Sequence, residues 1–182
     1  TAYEILTCDW SSDVCSSDLV PGDDWDRVAA MARAVETSGA GNLMTGGQME
    51  HPVLWERDGA LLKAKLDCLT PDCIVDLKTT SADDEDGIQR AAWTFGYHIS
   101  AAAYQEAAQV ATGKTLPKYF VFVQSAAPHD VVILEAGDEF LARGRALWDR
   151  AVRTYAACVA FDDWPTMAAG LSTNKLQPPR WA

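Results

Sequence analysis

Hydrophobic positions in the chain follow a helical period first and a strand-like pattern later. From Asp23 to Val35, apolar residues recur every three or four positions, which predicts a helix. Asp23 or Asp24 can cap its start, and Gly39 and Gly41 are expected to end it. Three short apolar runs follow at residues 49–55, 60–67 and 73–79, separated by turn signals at 57–59 and 70–72. They predict a three-stranded antiparallel meander.

The second half of the chain alternates helix and strand patterns. A long helix is predicted over residues 87–111, with the acidic run 83–86 at its positive end. Strands at 118–124 and 131–135 and a last helix at 138–159 follow. Strands before and after a helix, with helices covering both faces, predict an α/β fold: a three-layer α/β/α sandwich around a mixed central sheet.

Length predicts one domain. The chain has 182 residues, of which 48% are hydrophobic and 23% charged. Residues 1–20 lack periodicity and contain the string CDWSSDVCSSDL, which is similar to a translated sequencing-adapter read. We interpret this leader as a sequence artefact or as a disordered segment, and we place the single domain at residues 21–182.

The remaining composition predicts a cytoplasmic protein without a membrane partner. No apolar stretch is long enough to cross a bilayer, and no signal peptide opens the chain. The five cysteines lack framework spacing, which is typical of free thiols in a reducing compartment. The formal charge of −11 disfavours a diffuse attraction to nucleic acid, so any phosphate binding would need a local basic groove.

The candidate chemistry lies in the stretch from Lys63 to Thr80. Asp76-Leu77-Lys78 closes an apolar run, and alternation along a strand puts Asp76 and Lys78 on one face. If the preceding strand pairs with this one, Asp67 can reach the same face. Two carboxylates could then bind a hard divalent cation, with an ammonium beside the attacking water. The alternative is a solvated strand end with an incidental salt bridge, because such short motifs occur by chance.

The flanking residues extend the motif along most of the chain. The supporting segments are 50–55, Gly59, Lys63, Lys65, Asp67, 74–80, 88–90, 97–98, Tyr104, 120–122, 164–165 and 179–181. Together they resemble the PD-(D/E)xK nuclease superfamily, with a restriction-endonuclease-like core. Within it they are similar to the exonuclease VIII (RecE-like) branch of phage-type recombination exonucleases. The family has a histidine upstream of these motifs, and none precedes His51, which predicts an N-terminally truncated chain.

The resemblance implies roles for individual residues. Asp67 and Asp76, with the carbonyl of Leu77, would hold Mg²⁺, for which Mn²⁺ could substitute, and Glu50 would be a ligand or lie beside the ligands. Lys78 would orient or help to deprotonate the attacking water. Some relatives hold an iron–sulfur cluster with four cysteines, but only two cysteines of this chain flank the turn between the key strands.

Four residues are predicted to contact substrate. Lys63 and Lys65 would contact DNA, and Tyr97 and Tyr104 lie seven positions apart on one helix face. Related nucleases carry Gln-x-x-x-Tyr on this helix; Tyr104 matches the tyrosine, but Ser100 stands in place of the glutamine. The alternative for the two tyrosines is core packing with their hydroxyls at the surface.

The resemblance implies a magnesium-dependent exodeoxyribonuclease, a hydrolase of DNA recombination such as prophages carry. It would degrade linear double-stranded DNA from a 5′ end and leave a 3′ strand for a single-strand annealing recombination protein. A homo-oligomer ring around DNA is part of that expectation. Two alternatives stay open: another PD-(D/E)xK endonuclease or repair nuclease, and a catalytically inactive, truncated domain that binds DNA or protein.

Overall fold

The apolar runs of the sequence form one five-stranded sheet with the strand order β1-β2-β3-β4-β5. A computed structural model describes residues 22–166. The sequence-based predictions for residues 1–20 and 179–181 lie outside this range. The strands are β1 (Gln48–Arg57), β2 (Ala60–Leu69), β3 (Ile74–Thr80), β4 (Lys118–Gln124) and β5 (Val131–Glu135). The helices are α1 (Gly22–Thr37), α2 (Gly39–Met44), α3 (Glu85–Thr94), α4 (Tyr97–Thr112) and α5 (Asp138–Phe161).

The sheet is mixed. β1, β2 and β3 form the predicted antiparallel meander. β4 pairs with β3 in parallel because α3 and α4 carry the chain back across one face, and β5 then adds antiparallel to β4. The motif strand β3 is therefore central, with a partner on each side.

Helices cover both faces of the sheet. On one face, Val35 of α1 and Ala40 of α2 pack with Val75 and Val121. On the other face, α3, α4 and α5 bury Ile88, Ala101 and Leu141 against Phe120 and Phe122. Alternate residues of β4 thus enter opposite cores. This arrangement confirms the predicted α/β fold with three layers.

The β1–β2 hairpin turns where the sequence predicts. Asp58 and Gly59 both have positive φ, 53° and 78°, between the paired residues Arg57 and Ala60. A two-residue turn with both central residues in this region matches the right-handed twist of the strands.

The single long helix predicted over residues 87–111 is wrong. The chain instead forms α3 and α4, separated by Phe95 and Gly96. Gly96 adopts a left-handed conformation with φ 70°, which ends α3 and redirects the chain.

The helices α4 and α5 pack closely at Gly144. A Cβ at Gly144 of α5 would lie 1.8 Å from the carbonyl oxygen of His98, so α4 and α5 touch backbone to backbone.

The glycines after α1 also act differently from the prediction. α1 ends at Thr37, and Gly39 and Gly41 belong to α2 rather than forming a terminator. The Ser38 hydroxyl caps α2 by accepting a hydrogen bond from the amide of Ala40. A Cβ at Gly41 would lie 2.5 Å from the carbonyl oxygen of Glu36, so the close approach of the two helices requires glycine there. Across residues 22–166, no helix is long and apolar enough to span a membrane.

Candidate active site

Three acidic residues lie at the same level of three neighbouring strands. β2 pairs with β3 only at Cys68–Val75 and Leu69–Ile74, so Asp67 and Asp76 face each other just beyond the paired segment. On the other side of β2, the β1 register places Glu50 opposite Asp67. Glu50 has a φ of 52°, which distorts β1 at this point. The strands separate where the acids lie, which leaves room beside them.

The side-chain alternation of β2 slips at Asp67. Leu66 packs in the core under α4, whereas Cys68, two residues later, packs in the core under α1 and α2. A regular strand would send both to one face. The simple alternation expected for Lys63, Lys65 and Asp67 is therefore interrupted at Asp67.

A backbone contact fixes Asp67 against the motif strand. Its Oδ2 atom accepts a hydrogen bond of 2.9 Å from the amide of Leu77. Burial raises the pKa of the Asp67 carboxyl, and the neighbouring charge of Asp76 raises it further, against the lowering effect of the Leu77 amide and two lysines. Asp67 and Asp76 are therefore close enough to repel each other and would both gain from a shared cation.

Asp76 and Lys78 lie on one face of β3, as predicted. Asp76 is 1% exposed, and Lys78 Nζ lies 2.5 Å from its Oδ2. Burial acts to lower the pKa of Lys78, but the charges of Asp76 and Asp67 outweigh it and the pKa is raised. Lys78 is a cation in this site, so it can stabilise negative charge.

A second lysine, which the sequence patterns do not predict, contacts Asp76. Lys118 begins β4, pairs with Ile74 and is fully buried. Its Nζ lies 3.3 Å from Asp76 Oδ1. Burial lowers the pKa of Lys118 to about 8, although the charge of Asp76 opposes this. The sequence holds one signal for a buried lysine here. Lys118 comes directly before YFVFVQ, a run that predicts a buried strand, and alternation along that strand puts Lys118 on the face of Phe120 and Phe122.

Both predicted tyrosines lie at the site. Lys118 Nζ is 4.5 Å from the centroid of the Tyr104 ring, and Lys78 Nζ is 5.6 Å from that of Tyr97. Burial raises the pKa of Tyr104, and the charges of Asp76 and Asp67 raise it further. Ser100, which stands in place of the family's glutamine, donates its hydroxyl to the Tyr97 carbonyl instead.

The predicted basic residues on β2 lie outside this cluster. Lys65 forms an ion pair with Glu50. Lys63 is exposed and, within residues 22–166, forms no ion pair. Glu50 is thus engaged by a lysine rather than joined to Asp67 and Asp76.

The oxygen atoms present suit a hard cation, with one shortfall. Asp76 Oδ2 is buried without an aligned hydrogen-bond partner, and Asp67 is the second carboxylate. The Leu77 carbonyl, the third oxygen donor that the resemblance implies, accepts a hydrogen bond of 3.4 Å from Lys78 Nζ. Mg²⁺ commonly uses one or two carboxylates and keeps several waters, so these donors fit. However, the described part of the chain has no group of three or more His, Cys, Asp or Glu side chains arranged to hold a metal. Cys68 and Cys73 are buried free thiols in that part of the chain.

A cavity opens beside the acids. It has a volume of about 910 Å³ and lies between α1, α2 and the sheet. Its wall includes Trp25, Met49 and Leu77 and reaches Glu50 and Asp67. Open space therefore adjoins the carboxylates of Glu50 and Asp67 from the α1 side.

A comparison with known protein families identifies the family of this chain. A model of the PDDEXK-like domain of unknown function (DUF3799) matches residues 18–175, most of the chain. The chain belongs to this PDDEXK-like family. The triplet Asp76-Leu77-Lys78 has the acid-x-lysine spacing that ends the name PDDEXK, and the assignment of Asp67, Asp76 and Lys78 to the motif stays a prediction.

A solved structure shows the same fold. The crystal structure named "Putative exonuclease" from Eubacterium rectale superposes with a TM-score of 0.67 at 20% sequence identity. The match covers 86% of this chain and 63% of that one. A search of curated proteins found no relative. The structural match shows a shared fold, and the chain spans about 63% of the length of that protein.

Proposed function

We propose that this PDDEXK-like protein is a metal-dependent deoxyribonuclease that hydrolyses phosphodiester bonds of linear double-stranded DNA from a 5′ end. The observation that carries the proposal is the convergence of Asp67, Asp76 and Lys78 at the point where β2 and β3 separate. The sequence resemblance to exonuclease VIII supplies the expected substrate and polarity.

Mg²⁺, or Mn²⁺ in its place, would be held by Asp67, Asp76 and the Leu77 carbonyl. Glu50 would join them on release from Lys65. When bound, the ion would supply Lewis acidity and would lower the pKa of a water molecule. The amide of Leu77 keeps the Asp67 carboxylate pointed at Asp76.

Lys78 serves the transition state in this proposal. A cation held by Asp67 and Asp76 would weaken the attraction of both carboxylates for the Lys78 ammonium, which could then hold the attacking water. It also stabilises negative charge that builds on the phosphate oxygens, the role in which preorganised cations contribute most to catalysis. Tyr97 lies under the Lys78 ammonium and restricts its position.

Substrate contacts are proposed from the site outward. Tyr104 and Tyr97 line the sheet side of the site, and Lys63 and Lys65 extend along β2. DNA ends, a homo-oligomer ring and delivery of a 3′ strand to a single-strand annealing protein complete the recombination-exonuclease proposal.

One observation favours a catalytically inactive binding domain instead. The described residues assemble no three-acid cluster, and Asp76 is already paired with two lysines. The experiment that decides between these functions compares linear and closed circular duplex DNA of one sequence, with Mg²⁺ or with EDTA. The linear DNA carries its label at the 5′ end or at the 3′ end. The proposed enzyme digests only the linear DNA, from the 5′ end, and stops in EDTA. Cutting of closed circles would favour an endonuclease, and no cutting of either form would favour the inactive domain.

A further inference from the structure

An exposed aromatic side chain lies one ring away from the candidate catalytic lysine. Phe95 is 70% exposed, and its ring centroid is 6.0 Å from that of Tyr97. The Tyr97 ring in turn lies 5.6 Å from the ammonium of Lys78. The two rings therefore lie between solvent and the ammonium of Lys78.

The fold holds Phe95 in this outward position. Phe95 caps the end of α3, where its amide donates to the carbonyl of Ala91 at 2.9 Å. The left-handed Gly96 then starts α4 in a new direction. Phe95 therefore sits on a fixed corner between two helices rather than on a long loop.

Two aromatic residues of the sheet support the ring of Tyr97. Its ring stacks on Phe120 at 5.7 Å and on Phe122 at 6.3 Å, with interplanar angles of 21° and 25°. Both phenylalanines lie on β4, beside the motif strand. The exposed ring of Phe95 is thus the outermost member of an aromatic series anchored in the core.

The other exposed aromatic residue of this region, Trp93 in α3, is less exposed than Phe95 and has a closer ring contact. Trp93 is 49% exposed but stacks on His98 with ring centroids 4.4 Å apart. Phe95 leaves most of a large apolar ring in water, which is unfavourable unless a ligand covers it. A ligand that covers this ring would place a flat apolar face close to the phosphate that the acids and Lys78 would bind.

We propose that Phe95, supported by Tyr97, stacks against an unpaired nucleobase of the strand that is cut. This inference rests on the proposed nuclease function and specifies the state of its substrate. Stacking on aromatic side chains is how proteins hold single-stranded nucleic acid, because every base has a flat face. A base inside a duplex has both faces covered by its neighbours, so the platform selects a frayed or separated end.

The test measures DNA affinity for two forms of the protein, with and without the Phe95 ring, and for two forms of the DNA, with and without the unpaired bases. The DNA is a short duplex with an unpaired end, made with normal nucleotides or with abasic sites in the unpaired part. Binding is measured by fluorescence anisotropy with Ca²⁺ replacing Mg²⁺ to suppress cleavage. Phe95→Ala is expected to weaken binding of the normal end about tenfold, the usual scale for losing one base–aromatic stack, and to leave the abasic end unchanged. Phe95→Tyr should restore binding.

Leu61→Ala is the matched control. Leu61 is also 70% exposed, but it lies near the β1–β2 turn, about 20 Å along β2 from Asp67. It should bind both DNA ends like the unaltered protein. If Phe95→Ala weakens both ends equally, or changes the oligomeric state in light scattering, Phe95 is a structural or subunit contact and the inference is overturned.

The same assays separate this inference from the function on which it rests. Metal-dependent cleavage by the unaltered protein, combined with no coupling between Phe95 and the base, removes only the stacking proposal. A folded chain that neither binds nor cuts DNA in any of these conditions removes both.

Discussion

Lys118 Nζ lies 3.3 Å from Asp76 Oδ1, and neither side chain is exposed to solvent by more than 1%. Removing an ion from water costs several kcal/mol, so such a pair is a weak source of stability. The pair matters for the net charge of the site, because the positive charges of Lys78 and Lys118 balance the negative charges of Asp67 and Asp76. The site is therefore close to neutral before any cation enters, which lets the buried Asp76 and the half-buried Asp67 carboxylates coexist.

The buried pair predicts a stability change for Lys118→Met. Methionine keeps the volume but leaves Asp76 with one cation fewer, and breaking a buried pair this way costs about 3–5 kcal/mol. The free energy of unfolding in urea should fall by about that amount. The control is Lys114→Met, at an exposed position outside the site. Equal urea midpoints for both variants would contradict the pair's importance.

Lys78 should matter for turnover more than for metal uptake. Lys78→Ala removes the ammonium that acts on water and on transition-state charge, so the cleavage rate should fall by about two or more orders of magnitude. Calorimetry should still show Mg²⁺ uptake by this variant. Asp76→Ala is the comparison: it should lose both metal uptake and cleavage. A near-normal rate for Lys78→Ala would make Lys78 only a strand-end charge.

Binding of DNA should depend weakly on salt for one subunit. The chain carries a formal charge of −11, so only a few basic residues can contact phosphate. Each neutralised phosphate contributes a slope of about −0.9 to log affinity against log salt concentration. Lys63→Glu with Lys65→Glu should weaken binding and flatten the slope, with an unchanged circular dichroism spectrum. A steep slope that survives these changes would place the DNA contacts elsewhere.

His98 predicts a loss of stability in weak acid. Burial lowers its pKa, Arg143 lowers it further, and Nδ1 has no hydrogen-bond partner in the described residues. The folded state therefore binds fewer protons than the unfolded state below about pH 6.5, so stability falls as the pH drops through that value. His98→Phe keeps a flat ring against Trp93 and should lose less stability between pH 7 and pH 5. Parallel pH curves for the two proteins would exclude His98 as the cause.

The sequence predicts most of this fold because its signals are local. The Asp58-Gly59 turn and the Asp76–Lys78 triplet each depend on adjacent residues, and both were predicted correctly as structure. Lys118 was missed because it meets Asp76 only through parallel pairing with a strand about forty residues earlier.

Two further features depend on tertiary contacts that periodicity does not report. A helix pattern runs through Gly96, but the chain turns there because α3 and α4 pack in different directions. The resemblance predicts Glu50 near the metal, and this stays a prediction; the strand register places Glu50 opposite Asp67. Its ion pair with Lys65 comes from a cross-strand contact between β1 and β2, whose register the sequence alone did not specify.

The parallel pairing of β3 with β4 has a consequence for biosynthesis. A ribosome makes the chain from its N-terminus, so the motif strand appears before its partner, and contacts between residues distant in sequence form late. Until β4 docks, one edge of β3 has unpaired backbone groups and Asp76 lacks Lys118. We therefore expect a nascent chain that ends before Lys118 to be inert toward DNA. The proposed nuclease activity would then arise only after β4 has paired with β3.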